Sequence, residues 1–243
     1  MTLAAPILWK IPQTHVSLER LETLKNQLDQ RLTEIVSRFK DVRFATSLAA
    51  EDMAVTDGIA RVATSIQLFT LDTGRLHAET LAMADRVQSH YQLKIKHVSP
   101  SAETVTQLVN DYGLNGFYDG EEQKKACCNI RKVQPLALAL SGAQAWLTGQ
   151  RRSQAVTRQE LHFEEWDDAR AIAKFNPIFD WSDEDLWAYT QWQAIPIHPL
   201  HHQGYPSIGC EPCTRAVKEG EDIRAGRWWW LLQNSKECGL HIK

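Results

Sequence analysis

The chain has 243 residues, of which 43% are hydrophobic and 23% are charged, and its formal net charge is −3 at pH 7. This length allows one α/β core with a small appended lobe. A net charge this small and negative argues against a broad basic surface that would bind nucleic acid. Any anion that the protein binds must therefore be held by a local cluster of basic residues. No apolar run approaches the roughly 18 residues of a transmembrane helix, and we expect no association with a membrane.

The start of the chain and its cysteines both indicate a cytoplasmic protein. The opening sequence MTLAAPILWKIP has no basic region followed by a long apolar stretch, so we expect no secretory signal. Five cysteines that include one adjacent pair are a poor disulfide framework and suit metal ligation plus a reactive thiol. A reducing cytoplasm is therefore the expected location.

An amphipathic helix is predicted to begin at Ser17. Apolar residues then recur at helical spacing, with charged residues between them: Leu18, Leu21, Leu24, Leu28, Leu32, Ile35 and Phe39. Further along, short β-prone runs at 42–45, 66–71, 94–98 and 145–148 alternate with helical patterns. Strands separated by helices predict right-handed βαβ units and a parallel sheet.

Three of these predicted strands are followed by residues suited to anion binding. Residues 47–52 follow the first strand, residues 72–75 the second and residues 149–152 the fourth. The carboxyl ends of parallel strands share one edge of the sheet, where ligands bind. Small residues let backbone N–H groups approach a phosphate, and a helix N-terminus adds its positive dipole end. The pattern therefore predicts a nucleotide site at this edge.

Two groups of cysteines are candidate metal ligands. Cys127 and Cys128 are adjacent, and we expect them near the N-terminus of a helix over 130–140. Cys210 and Cys213 form a Cys-x-x-Cys pair. Four thiolates from two distant segments suit a 4Fe-4S cluster or a closed tetrahedral zinc site. For zinc, nearby histidines are further candidate ligands: His198, His201 and His202.

The composition changes from about residue 176, where Trp becomes frequent and Pro and Gly mark a loop-built stretch. Ser182 followed by Asp185 predicts the start of a short helix, with Asp where a capping box prefers Glu. Several basic side chains could converge on one phosphate or sulfate group. These are Arg131, Lys132, Arg158, Arg224 and Arg227.

Cys238 is the fifth cysteine and lies near the C-terminus. A terminal segment that contains Gly is expected to be mobile, so this thiol could enter a cleft and leave it. Lys236 and His241 could favour the thiolate and so lower the pKa of Cys238. The alternative is an inert, exposed thiol on a frayed end.

Six motifs in order resemble the thioredoxin-dependent adenylyl-sulfate (APS) reductases of assimilatory sulfate reduction. They span most of the chain and are SLAAEDM at 47–53, LDTGR at 71–75, CCNIRKVQPL at 127–136, GQRRSQAVTR at 149–158, CEPC at 210–213 and ECGLH at 237–241. The resemblance implies a Rossmann-like parallel sheet of the adenine nucleotide alpha hydrolase-like type, flanked by helices. It also implies a single reductase domain over 1–243, with a nucleotide-binding core at 17–180 and a C-terminal extension at 181–243 that carries the CxxC pair and a mobile catalytic tail.

The resemblance also implies roles for individual residues. Cys127, Cys128, Cys210 and Cys213 would hold one 4Fe-4S cluster, and Cys238 would attack the substrate sulfur. The phosphosulfate would be held by Lys132, Arg151, Arg152, Arg158, Arg224 and Arg227. Ser47, Leu71 and Gly149 would lie nearer the adenosine.

By the same resemblance, APS is reduced to sulfite and AMP, thioredoxin is the electron donor, and the sulfite serves cysteine biosynthesis. Relatives that act on the 3'-phosphorylated substrate (PAPS) typically lack the cluster cysteines, so their presence indicates APS. PAPS or dual specificity is the alternative, because some cluster-bearing relatives accept both. The oligomeric state is left open, with a homo-oligomer as one option because relatives often form dimers or tetramers.

Two departures from the family pattern affect the details of phosphosulfate contact. Many members have Lys three positions before the nucleophile, where this chain has Ser235, and residues 154–157 lack a common Ser-Pro. Two rival hypotheses remain. A tRNA-thiolating ATP pyrophosphatase would need a Ser-Gly-Gly-x-Asp-Ser loop, which residues 47–52 do not provide. A zinc-binding interaction module would use the aromatic C-terminal region.

Overall fold

A twisted six-stranded sheet forms the centre of the protein. The computed structural model describes residues 6–155 and 158–231. The strands are β1 (Val42–Ala45), β2 (Gln67–Leu71), β3 (Ile95–Val98), β4 (Ala145–Leu147), β5 (Glu164–Asp167) and β6 (Ile172–Phe175). Their order is β3-β2-β1-β4-β6-β5, and all neighbours are parallel except β5 and β6. The predicted α/β class with a parallel sheet is confirmed.

Seven α-helices flank the sheet in the described part of the chain. They are α1 (Leu18–Arg38), α2 (Ala50–Val62), α3 (Ala78–Tyr91), α4 (Ala102–Tyr112), α5 (Glu121–Cys128), α6 (Gln134–Leu140) and α7 (Asp183–Trp192). As predicted, Ser17 caps α1, because its side chain accepts a hydrogen bond from the Arg20 N–H. None of the described helices is both long and apolar enough to cross a membrane.

The four predicted strands all form, but the sequence prediction misses β5 and β6. In β5, three of the four residues are acidic, and β5 lies at the edge of the sheet. In β6, Lys174 is buried, and its ammonium group pairs with Glu165 of β5 at 3.0 Å. Charged residues on an edge strand discourage pairing with other chains, but they also hide the strand from a hydropathy pattern.

Cys127 and Cys128 do not stand at a helix start, which corrects that expectation. They are the last two residues of α5, and the backbone continues as a π-helical segment, Asn129–Val133, into α6. The two cysteines therefore lie inside one continuous helical stretch. Insertions of π geometry are rare and often occur at functional sites.

The C-terminal part of the chain shares its core with the N-terminal part. Ser182 and Asp185 form the predicted capping box of α7, with bonds of 3.0 and 3.1 Å between each side chain and the other residue's N–H. Trp181 and Tyr189 belong to the same buried cluster as the apolar faces of α1 and α2. After α7 the chain is built from loops and short 3-10 turns, including Pro199–Gln203 and Glu211–Cys213.

Replacing Leu28 by Ala should lower the free energy of unfolding by about 2–5 kcal/mol, because Leu28 is fully buried where α1 packs against α2. Leu18→Ala on the same helix is the matched control. Leu18 is 57% exposed, so its loss should cost less than about 0.5 kcal/mol. Urea denaturation followed by circular dichroism measures the free energy of unfolding of each variant. Equal losses would show that α1 does not pack as described.

Candidate active site

A cavity of about 260 Å³ opens at the carboxyl ends of β1, β2 and β4. Its walls come from the turns after these strands and from the loop that follows α7. Predicted site residues that line it are Ser47, Leu71, Gly149, Lys132, Arg158, Arg224, Arg227 and Cys210. Parallel strands bring their carboxyl ends together, so turns more than 100 residues apart in sequence meet at this cavity.

The turn between β1 and α2 forms one wall and is tightly bonded. Leu48 has a left-handed backbone with φ of 63°, which is unfavourable for a residue with a Cβ. Asp52 compensates, because one of its carboxylate oxygens accepts from both the Ser47 N–H at 2.5 Å and the Ser47 hydroxyl at 2.6 Å. The Leu48 N–H donates to the Thr46 hydroxyl at 3.1 Å.

The same turn corrects the expectation that its N–H groups face a phosphate. The Ala49 N–H donates to the Ser47 hydroxyl at 3.4 Å, and the Ala50 N–H donates to Nε2 of His201 at 3.2 Å. The N–H groups of residues 47–50 therefore all have partners within the protein. Residues 47–50 therefore have no N–H group left for an anion in the cavity.

Gly149 stands where the turn after β4 meets the start of α2. A Cβ at this position would overlap the carboxylate of Asp52 and approach its backbone nitrogen to 3.0 Å. Only glycine allows this approach. Burial raises the pKa of Asp52 to about 6, although the hydrogen bonds from Ser47 act in the opposite direction.

Four basic side chains line the cavity, and two of them, Lys132 and Arg227, lie beside Cys210 at what we call its positive end. The four are Lys132, Arg158, Arg224 and Arg227. Arg227 is buried, and its guanidinium donates to the Ser207 hydroxyl and to the Ile208 carbonyl, each at 3.2 Å. It packs so closely on Gly209 that a Cβ there would lie 2.7 Å from the guanidinium carbon. Arg158 donates to the side chain of Gln154.

Arg151 and Arg152 do not line the cavity, which differs from the prediction that they hold the phosphosulfate. The Arg151 side chain is 2% exposed and bridges Glu51 and Asp183, at 2.8 Å from each carboxylate. Arg152 donates to the Leu161 carbonyl at 2.7 Å, and its guanidinium lies over the Phe179 ring. Both side chains hold the surrounding loops.

The four cysteines from the two predicted groups meet beside the positive end of the cavity. Cys128, Cys210 and Cys213 form one buried cluster with Phe117 and Trp228, and Cys127 packs against it. The CxxC segment is bound to the turn after β2, because Cys210 forms a β-bridge with Leu76, and its sulfur lies 3.3 Å from the Thr73 hydroxyl.

The surroundings favour anionic sulfur at Cys210 but disfavour it at Cys213. Burial disfavours the Cys210 thiolate, but Lys132, Thr73 and Arg227 outweigh burial and hold the pKa of Cys210 below its ordinary value. Burial, together with the charge of Cys210, raises the pKa of Cys213 to about 12. Several thiolates in one buried place therefore need a bound cation, which is what an iron–sulfur cluster or zinc supplies.

This donor set fits a 4Fe-4S cluster in number and chemistry. No group of three or more His, Cys, Asp or Glu side chains in residues 6–155 and 158–231 is already arranged around one metal position. The four cysteines thus remain predicted ligands. Cys238 lies outside the described residues.

The histidines proposed as alternative zinc ligands do not lie with the cysteines. His198 is fully buried, accepts the Leu200 N–H on Nδ1 at 3.2 Å, and donates from Nε2 to the Thr80 hydroxyl at 3.0 Å. His201 is fully buried and uses both ring nitrogens for protein contacts. His202 is exposed.

The sequence indicated His201 only as an alternative zinc ligand and gave Thr73 no individual role. Thr73 belongs to the motif LDTGR at 71–75, so the sequence did indicate its region. Nothing in the sequence indicated the bond between His201 and Ala50, because the two residues lie 151 positions apart.

The fold and the cavity together define an α/β protein with a cavity at the carboxyl ends of its parallel strands, next to basic side chains and four cysteines. The model of the phosphoadenosine phosphosulfate reductase domain matches residues 41–216. The chain belongs to this family, and the resemblance derived from its motifs is confirmed.

Named relatives agree with this assignment. Adenosine 5'-phosphosulfate reductase of Neisseria meningitidis (strain Z2491) is 53% identical over 99% of this chain and 100% of the relative. The protein of that name from Burkholderia cepacia is 53% identical over 95% of this chain and 90% of the relative. A crystal structure of phosphoadenylyl-sulfate (PAPS) reductase from Candida auris shares the fold, with a TM-score of 0.66 and 24% identity over 84% of this chain and all of that chain.

The ring of His198 should stay neutral down to about pH 4, because burial lowers its pKa from the ordinary 6.5 to about 4. NMR titration of the ring protons, assigned with a His198→Gln variant, measures this. In the unfolded chain the ring binds a proton below about pH 6.5, whereas in the folded protein it stays neutral. The neutral, buried His198 therefore costs the folded state no stability above about pH 6.5. Below that pH, stability falls by about 1.4 kcal/mol per pH unit towards pH 4. A midpoint near 6.5 would contradict the described burial.

Proposed function

We propose that this protein reduces APS to sulfite and AMP, with thioredoxin as the electron donor and Cys238 as the nucleophile. One observation carries the proposal: a single cavity joins a nucleotide-type turn to a basic end beside four cysteines. The names of the relatives, which share about half of their residues with this chain, support APS as the substrate. The sulfite would serve cysteine biosynthesis in the cytoplasm.

The two ends of the cavity suit the two ends of APS. Ser47, Leu71 and Gly149 line the end formed by the strand turns, where we place the adenosine. Lys132 and Arg227 lie beside Cys210 at the other end, where we place the phosphosulfate. Converging cations stabilise both the bound anion and the charge that develops on the leaving phosphate.

The reaction we propose has two steps that balance in atoms and electrons. The Cys238 thiolate attacks the sulfur of the sulfate group, the bond from sulfur to the bridging oxygen breaks, and AMP leaves with that electron pair. A thioredoxin thiolate then attacks Sγ of the S-sulfocysteine, and sulfite leaves with the S–S electron pair. The second thioredoxin thiol resolves the mixed disulfide, so the dithiol supplies both electrons and Cys238 is regenerated.

We also propose that Cys127, Cys128, Cys210 and Cys213 hold one 4Fe-4S cluster. When bound, the cluster would supply a fixed charge beside the positive end of the cavity. Lys132 lowers the pKa of Cys210 and also lines the cavity, so it links the cysteines to the substrate end.

Anaerobic incubation with APS and no reductant should add the mass of one SO3 group to the protein, located on Cys238 by peptide mapping. Thioredoxin should remove the adduct and release sulfite. An adduct only with PAPS would keep the mechanism and change the substrate. No adduct with either nucleotide would overturn the proposal.

Cys213→Ser should lose most of the iron, because it removes one of the four thiolates, while Cys238→Ser should keep it. Anaerobically purified wild-type protein should hold about four irons per chain. The iron and zinc content and the visible absorption spectrum are measured for the wild type and for both variants. Full zinc occupancy without iron in the wild type would replace the cluster with the zinc alternative.

A further inference from the structure

We infer that His201 is a positioning residue for the nucleotide: it caps α2 from a distance and so holds the turn that carries Ser47 and Asp52 onto the cavity. This inference rests on the proposed function, because it assumes that the adenosine end of the substrate binds against that turn. The neutral ring of His201 accepts one backbone hydrogen bond, from the Ala50 N–H to Nε2.

The contacts of His201 select one tautomer. Nδ1 lies 2.8 Å from the carbonyl oxygen of Tyr205, which can only accept, so Nδ1 carries the proton. Nε2 therefore presents a lone pair to the Ala50 N–H at 3.2 Å. Burial also lowers the pKa of His201, which favours this neutral form.

Helix α2 needs this bond because its own sequence provides no cap. The N-cap residue is Ala49, whose side chain cannot accept a hydrogen bond, and no side-chain cap is present at this helix. An exposed helix start could use water, but Ala49 and Ala50 are both buried. Leu48, directly before them, holds a strained left-handed backbone that the surrounding bonds must maintain.

The bond also joins two walls of the cavity. His201 lies in the turn Pro199–Gln203, and the chain then runs through residues 206–210, which also line the cavity. Ser47, Ala49 and Asp52 line the other wall. Loss of the Nε2 acceptor would therefore release the nucleotide turn from the loop that faces it.

A merely structural role makes a different prediction. The His201 ring packs edge-on against Trp187, with ring centroids 5.2 Å apart, so any replacement loses this contact. If packing were the whole role, replacements of similar polarity would lower stability and leave nucleotide affinity alone.

Two variants separate these possibilities. The amide oxygen of Gln reaches the place of Nε2, so His201→Gln keeps an acceptor for Ala50. Asn is shorter and places its amide near Nδ1, so His201→Asn keeps only the partner of Tyr205. Both variants lose the ring. Calorimetric titration with AMP, thermal melting, and KM and kcat for APS are measured on each full-length protein.

We expect His201→Asn to weaken AMP binding and raise KM for APS about ten-fold, with kcat changed far less, because the lost cap affects ground and transition states alike. His201→Gln should stay within about two-fold of the wild type in AMP affinity. Equal AMP affinities of the two variants would overturn the inference. Wild-type protein that fails to bind AMP would overturn the proposed function, and the inference with it.

The wild-type protein provides a test that needs no folded variant. The ¹⁵N shifts of the His201 ring should report the Nδ1–H tautomer at neutral pH. A ring that carries its proton on Nε2 could not accept from Ala50, and that result would also overturn the inference.

Discussion

The carboxylate of Asp52 is the contact on which the cavity depends. It accepts two hydrogen bonds from Ser47 and stabilises a turn in which Leu48 has a positive φ. Burying a carboxylate is costly, and the raised pKa of Asp52 reflects that cost. Gly149 follows from the same contact, because any side chain there would displace Asp52. The nucleotide end of the cavity is thus determined by one short, tightly bonded connection between β1 and α2.

The second wall is held by backbone contacts as well as by the buried cluster around the cysteines. The Glu211 N–H donates to the Arg75 carbonyl at 2.8 Å, beside the bridge between Leu76 and Cys210. These bonds attach the CxxC segment to the turn after β2. Because Arg227 packs on the same segment at Gly209, the cations and the cysteines are held in one place. A change in the charge on the cysteines would act directly on the basic end of the cavity.

The parts of this fold that follow a local pattern could be predicted from the sequence, and the parts that depend on distant partners could not. The buried face of α1 and strands β1 to β4 have clear periodicity or apolar runs. By contrast, Arg151 pairs with Glu51 in the interior while Arg227 lines the cavity. No local sequence pattern distinguishes the two, because both are arginines next to loops. The tandem cysteines were expected at a helix start because the helical pattern at 130–140 begins just after them, yet the helical stretch already begins at Glu121.

Arg151 still affects the charge of the cavity lining, although it lies outside the cavity. Glu51 lines the cavity, and its carboxylate alone would repel a phosphosulfate. Arg151 is buried against it at 2.8 Å and, with the hydrogen bonds around it, outweighs burial and keeps the pKa of Glu51 below its ordinary value. The ion pair offsets the negative charge of Glu51 locally, so Asp52 is the lining carboxylate whose charge opposes the four basic side chains of the lining. A buried pair of this kind adds little to stability, so its effect on the field is the physical reason to retain it.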